Sequence, residues 1–217
     1  MFKAFASHVV TKDETKALKK RLEDLNMYNV FVGVPDESNR EEGNITNAQL
    51  LFILEHGVRD KTMRDDMKHN LDSGMKYSRA YEMYIHEHGS PLWQIPPRPV
   101  LIPAVESVKD RIAKYFQSAI KAAIEGKDPF PFLLNASESG QKAAFRWFTN
   151  PNNGWAPNAP STIKMKQKKN SREVVRPMID TGALRRSILG IVYKGETEIG
   201  RTAPIEDKAN SKGGQTS

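Results

Sequence analysis

The residue types best suited to chemistry sit in three places. His86-Glu87-His88 puts two imidazoles and a carboxylate together, and those are common metal ligands. Two ligands to one ion on a helix must stand at i and i+4, on the same side, whereas i and i+2 diverge. The triplet therefore reads better as a helix end, where histidine lies favourably near the last carbonyls. For nucleophilic catalysis the available groups are Ser137, Ser139, Asp180 and a histidine. No Gly-x-Ser-x-Gly elbow and no phosphate-binding glycine loop accompanies them. With no cysteine in the chain, disulfides, thiolate metal sites and cysteine nucleophiles are excluded, which suits a reducing compartment. These patterns point away from an enzyme, and no metal or cofactor is expected.

The third place is basic. The formal net charge is +7, and Ser161 to Arg186 holds eight basic residues against Glu173 and Asp180. Within it, Lys164, Lys166, Lys168 and Lys169 either face DNA, neutralising phosphates without reading sequence, or form the solvated face of a short helix. No aromatic residue interrupts the run, so stacking on single-stranded bases has little support.

Two further segments suit contact rather than catalysis. Ile95-Pro96-Pro97-Arg98-Pro99-Val100 cannot be helical, because proline fixes its own backbone and extends its predecessor. Such a stiff strip loses little entropy on docking. Met63, Met67, Leu71 and Met75 recur four apart and give either a flexible contact surface or a core-facing stripe. Candidate subunit-interface residues are thus Ile95, Pro97, Arg98, Pro99, Met63, Met67 and Leu71. Arg98, Asp180 and Arg185 can as easily make internal ion pairs.

The elements that must position these residues follow from periodicity. Leu18, Leu22 and Leu25 predict a helix over 11–25 that lies on a sheet. Asn29 to Val34 predicts a strand. A helix runs from Asn44 to His56, capped by Thr46 or Asn47 and closed by Gly57. Its end, Ile53-Leu54-Glu55-His56-Gly57, returns as Ile85-His86-Glu87-His88-Gly89, so residues 58–84 read as a helical insertion. Ala104 to Glu125 carries the longest apolar stripe and is expected to be the main helix on the sheet, followed by a shorter helix over 137–148. Ser161 or Thr162 caps a basic helix through Lys169. Asp180-Thr181-Gly182 makes a turn and helix cap ahead of two strands, 187–193 and 196–199, joined at Lys194-Gly195. The expectation is one α+β domain over 1–202, a small, mostly antiparallel sheet backed by a long helix with an insertion at about 58–84, then a polar tail over 203–217. No apolar run approaches the roughly 18 residues a bilayer crossing needs, and no signal stretch opens the chain. A soluble, non-exported protein is expected.

Three segments taken in order carry a resemblance. They are Val30-Phe31-Val32-Gly33-Val34; then Ile85 to Pro91 with Ile95-Pro96-Pro97-Arg98-Pro99 leading into a long helix; then Pro160 to Lys164 followed by Pro177-Met178-Ile179-Asp180-Thr181-Gly182-Ala183-Leu184-Arg185-Arg186-Ser187-Ile188. Over about 29–200 the chain resembles the minor virion-morphogenesis proteins of tailed bacteriophages, the tail-completion, neck or head-to-tail joining proteins. It departs from that pattern in repeating the helix end, with residues 58–84 between. The resemblance implies a structural virion protein, assembled as a homo-oligomeric ring around the DNA channel at the neck or tail top. Its neighbours would be the connector, terminator, tail tube or sheath, with the host cytoplasm as its place of assembly and no membrane partner. Two other readings stand beside it. One is a DNA-binding accessory protein of virion morphogenesis acting through Lys164 to Arg186. The other is a morphogenetic hydrolase, which would need a convergent cluster in a pocket.

Overall fold

The computed structural model describes residues 14–36, 41–42, 45–59, 61–76, 79–80, 83–84, 93–169, 171 and 173–206. Along the chain, α1 (Thr15–Leu25) precedes β1 (Tyr28–Gly33), and a short hairpin of β2 (Glu41–Glu42) and β3 (Ile45–Thr46) leads into α2 (Asn47–His56). Next come β4 (Val58–Arg59), α3 (Lys61–Asp72) and β5 (Trp93–Ile95). Helices α4 (Leu101–Glu106), α5 (Lys109–Ile124), α6 (Phe130–Trp147), α7 (Pro160–Lys168) and α8 (Ala183–Ser187) follow, and β6 (Leu189–Lys194) and β7 (Thr197–Arg201) close the fold. The class is α+β, with a three-stranded antiparallel sheet in the order β1-β6-β7.

The sheet joins residues far apart in sequence, pairing Val30 with Val192 and Phe31 with Ile191. Because alternate side chains point to opposite faces, Val30 and Val192 share the inner face. There they pack with Ala119, Leu133 and Phe130 in one core cluster. The β6–β7 turn falls where expected, with Gly195 at φ 61.

The helix that covers this sheet is α6, which corrects the expectation of 104–125. That segment breaks at Ser107–Val108 into α4 and α5. Helix α5 buries Ala119, Ala122 and Ala123 yet leaves Phe116, Ile120 and Ile124 at 39%, 45% and 47% exposure. Helix α6 starts at Phe130, well before the expected 137, with Pro131 in its first turn, where a missing N–H costs nothing. Its buried face is small rather than bulky: Ala136, Ser137, Gly140 and Ala144. A Cβ on Gly140 would lie 2.6 Å from Val32 Cγ2, and one on Gly190 would lie 2.7 Å from the Ser137 carbonyl oxygen. Helix and sheet thus approach at van der Waals range through glycine. A stripe of small residues has a weak hydrophobic signature, so the periodicity showed a helix over 137–148 without marking it as the one that covers the sheet.

Helix α1 is corrected too, since it packs on α5 rather than across the sheet. The Arg21 guanidinium donates to the Ile124 carbonyl at 3.0 Å, and Lys194 pairs with Asp24 at 2.8 Å. Helix α2 is capped by Thr46, whose hydroxyl accepts from Gln49 N–H while the Gln49 side chain accepts from Thr46 N–H. This reciprocal cap satisfies two orphan donors and contributes about 1 kcal/mol.

Strands β4 and β5 pair antiparallel, so the chain leaves and re-enters the domain at adjoining points. Between them, Met67 and Ala80 are buried in a small cluster with Leu71, Met75 and Tyr84. The reading of Met67 as a contact residue is therefore corrected: at 2% exposure it fills the arm's own core. The Met63 side chain and the whole of His86-Glu87-His88 lie outside the described residues. Among the described residues no helix is long and apolar enough to cross a membrane.

Candidate functional site

The proline strip does not hang free; the subunit itself binds it along its length. Arg98 N–H donates to Leu54 O at 2.7 Å. Glu55 at the end of α2 accepts from Val100 N–H at 2.8 Å and Leu101 N–H at 2.5 Å. Its carboxylate thereby caps the start of α4, which itself offers no side-chain cap, and meets the positive end of that helix. The indoles of Trp147 and Trp155 both donate to Pro99 O, at 3.1 and 3.0 Å. Gly57, at φ 70, lets the strip pass, because a Cβ there would sit 2.7 Å from Ile95 O.

Arg98 is buried, at 8% exposure. Its Nε and Nη2 donate to Ala156 O, and Nη2 also to Pro157 O, each at 3.1 Å. Burial holds its pKa below the ordinary arginine value, since desolvation penalises the charged form. The reading of Arg98 as an outward-facing contact is corrected in part: Nε and Nη2 are spent on the subunit's own carbonyls, and no ion pair of Arg98 is recorded among the described residues. Ile95 and Pro97 are half-buried and Pro99 is exposed.

Lys166 repeats this arrangement on α7. It is 7% exposed, and its ammonium donates to Glu173 O at 3.1 Å, Arg176 O at 2.8 Å and Ile179 O. Three donors meet three carbonyls, the full capacity of an ammonium group. Burial lowers its pKa, the charge of Asp180 and then of Glu173 oppose that, and Arg98 adds to the lowering. Two of these carbonyls flank Met178, which holds φ 59, a left-handed conformation costing a non-glycine residue about 1 kcal/mol. Lys166 thus pins a strained turn. Its DNA-facing role is corrected: the run of charge placed it with the other lysines, but the carbonyls of the 173–179 loop, which Asn158 also binds, capture its head group. Lys164, Lys168 and Lys169 are exposed, and Lys169 lies 3.6 Å from Asp180.

Asp180-Thr181-Gly182 forms the expected turn and cap. Gly182 is the N-cap of α8 at φ 75, and Thr181 Oγ1 accepts from Ala183 N–H at 3.3 Å. Arg185 stacks over Phe145 at 4.5 Å. Ser137 packs against Gly190 with its hydroxyl donating to Leu134 O, and among the described residues it makes no recorded contact with Asp180. No group of three or more potential metal ligands occurs among the described residues.

Strip, basic helix and turn converge on one groove of about 610 Å3, lined by Arg98, Lys166, Lys169 and Asp180 together with Leu50, Leu54, Met165 and Met178. No family model, no curated protein and no solved structure matches the chain. Sequence reasoning reached Arg98, Lys166 and Asp180 as separate features. It missed Glu55, Trp147 and Trp155, which fix the strip. The available signal was Glu55 at the end of α2 ahead of a proline segment whose own amides need acceptors.

Proposed function

We propose that this protein is a ring-forming structural subunit of a tailed-phage neck or tail top. The observation that carries the reading is a pair of uncovered apolar surfaces on different layers. On the sheet, Phe31 alternates with the inward Val30 and Val32 and is 53% exposed. It borders a shallow groove of about 440 Å3 with Val34, Pro35, Ile191 and Tyr193. On the helical layer, Phe116, Ile120 and Ile124 lie open along one side of α5. Patches of this kind on a small domain mark interaction surfaces. Two dissimilar ones make head-to-tail contacts, which close into rings when the rotation allows.

The accessory DNA-binding reading has less to stand on. With Lys166 buried, Lys169 beside Asp180, Arg176 beside Glu173 and Arg185 over Phe145, the lysine run itself keeps Lys164 and Lys168 for phosphates. Two such contacts give a log–log salt slope of only about −1.8 on duplex DNA.

The ring reading is tested with Phe31→Asp and Ile120→Asp, assayed by native mass spectrometry. Each alone reduces wild-type oligomers to monomers. Mixed together they give dimers, because one retains the sheet face and the other the helix face. A wild-type protein that stays monomeric at high concentration, and that immunogold labelling does not find at the head–tail junction of virions, sinks the proposal.

A further inference from the structure

The groove holds an unused donor. Nε and Nη2 of Arg98 are spent on Ala156 and Pro157, whereas its Nη1 meets no acceptor among the described residues. Arg98 is 8% exposed as a whole residue and lines the groove; Nη1 is not among the atoms sealed away without a partner, so it is open to a ligand there. A guanidinium with an open N–H edge pairs most strongly with a charged acceptor. Lys166 and Lys169 add positive charge to the same lining, with Asp180 as its one carboxylate.

The rest of the lining is mixed, with Asn47, Asn158, Thr162 and Thr181 beside a larger set of apolar residues. Leu50 and Leu54 of α2 line the groove together with Met178, and Met165 is 55% exposed. A track for single-stranded nucleic acid would carry aromatic side chains for base stacking, and none is among the residues that line this groove. This groove instead combines aliphatic and cationic side chains in one lining, and its volume lies within the roughly 300–1,000 Å3 typical of ligand clefts.

We propose that the groove is a docking site for an extended acidic–aliphatic segment of a partner protein. A carboxylate side chain of that segment satisfies the Arg98 end, and a neighbouring aliphatic side chain fills the space between Leu50, Leu54, Met165 and Met178. The site goes beyond the ring reading, since it belongs to one subunit and exists whether or not copies assemble.

The test uses the full chain and fluorescently labelled octapeptides of alternating Leu and Asp, with Leu/Asn and Leu/Lys counterparts and a single-stranded octanucleotide, read by anisotropy. The Asp peptide is expected to bind about tenfold more tightly than the Asn peptide, as one charge-assisted contact predicts. Lys169→Gln weakens that binding and Asp180→Asn strengthens it; both side chains are exposed enough to change without unfolding the protein. Arg98→Lys, checked for folding by circular dichroism, abolishes the Asp preference. Equal binding of Asp and Asn peptides overturns the proposal. So does octanucleotide binding that competes with the peptide and responds to Lys169 and Asp180 in the same way. Loss of self-association in Lys169→Gln, with no peptide bound by the wild type, assigns the groove to a second copy and overturns it as well.

Discussion

The sheet layer and the groove solve the same problem, holding backbone in place, by opposite means. Between α6 and the sheet, side chains are trimmed away at Gly140, Gly190 and Ser137 so that two hydrogen-bonded elements touch directly. Around the groove the backbone of 95–100, 156–159 and 173–182 is mostly irregular, and its carbonyls need donors from elsewhere. Arg98, Lys166, Trp147 and Trp155 supply them. Regular structure satisfies its own polar groups and asks only for close packing, whereas irregular structure must recruit buried cations and indoles.

Breaking the groove side is expected to have the largest effect. Lys166→Met takes the ammonium from three carbonyls, of which Arg176 O keeps the Asn158 amide as a second donor, and frees the Met178 turn, costing about 3 kcal/mol in urea unfolding; a loss below about 1 kcal/mol would mean that water replaces the ammonium. On the sheet side, Gly190→Ala drives a methyl group into the Ser137 backbone, at a cost of about 2 kcal/mol. Since β6 is the central strand, that loss should appear as faster amide exchange on β1 and β7 alike.

The pH dependence separates the regions by sign. The pKa of Lys194 is raised, chiefly by its hydrogen bond to Asp24. What it contributes is therefore present below the unfolded lysine value and is lost as pH rises through the higher folded one. Lys166 is lowered by burial, so the unfolded chain binds its proton more tightly and this group makes stability rise with pH between its folded value and the unfolded one. Thermal melts of Lys194→Met and Lys166→Met across pH 8 to about 11 should bend in opposite directions relative to wild type. The smallest effect is expected at the groove rim. Lys169→Gln removes a solvent-exposed pair with Asp180 and changes stability by less than about 0.5 kcal/mol, so its effect on peptide binding can be read without a folding correction.

Local grammar was legible without coordinates. The strand at 28–33, the hairpin across Gly195, the Thr46 cap and the Asp180–Gly182 turn each rest on short-range rules: alternation, turn chemistry and capping. The long-range facts were not. Periodicity ranked 104–125 above 130–147 because it weighs bulk, while the tightest helix–sheet contact uses residues with almost none. It also grouped Lys166 with its neighbours by charge, and Met67 with contact residues by flexibility. Both are buried, one by carbonyls of a loop that comes close only after folding and the other by Ala80 and Tyr84 across the arm. Sequence alone determined which segments bend, extend or coil, because those choices are made within a few residues. Which polar groups are spent inside, and which remain facing the groove, was decided by the tertiary structure, because a donor's availability depends on acceptors dozens of residues away.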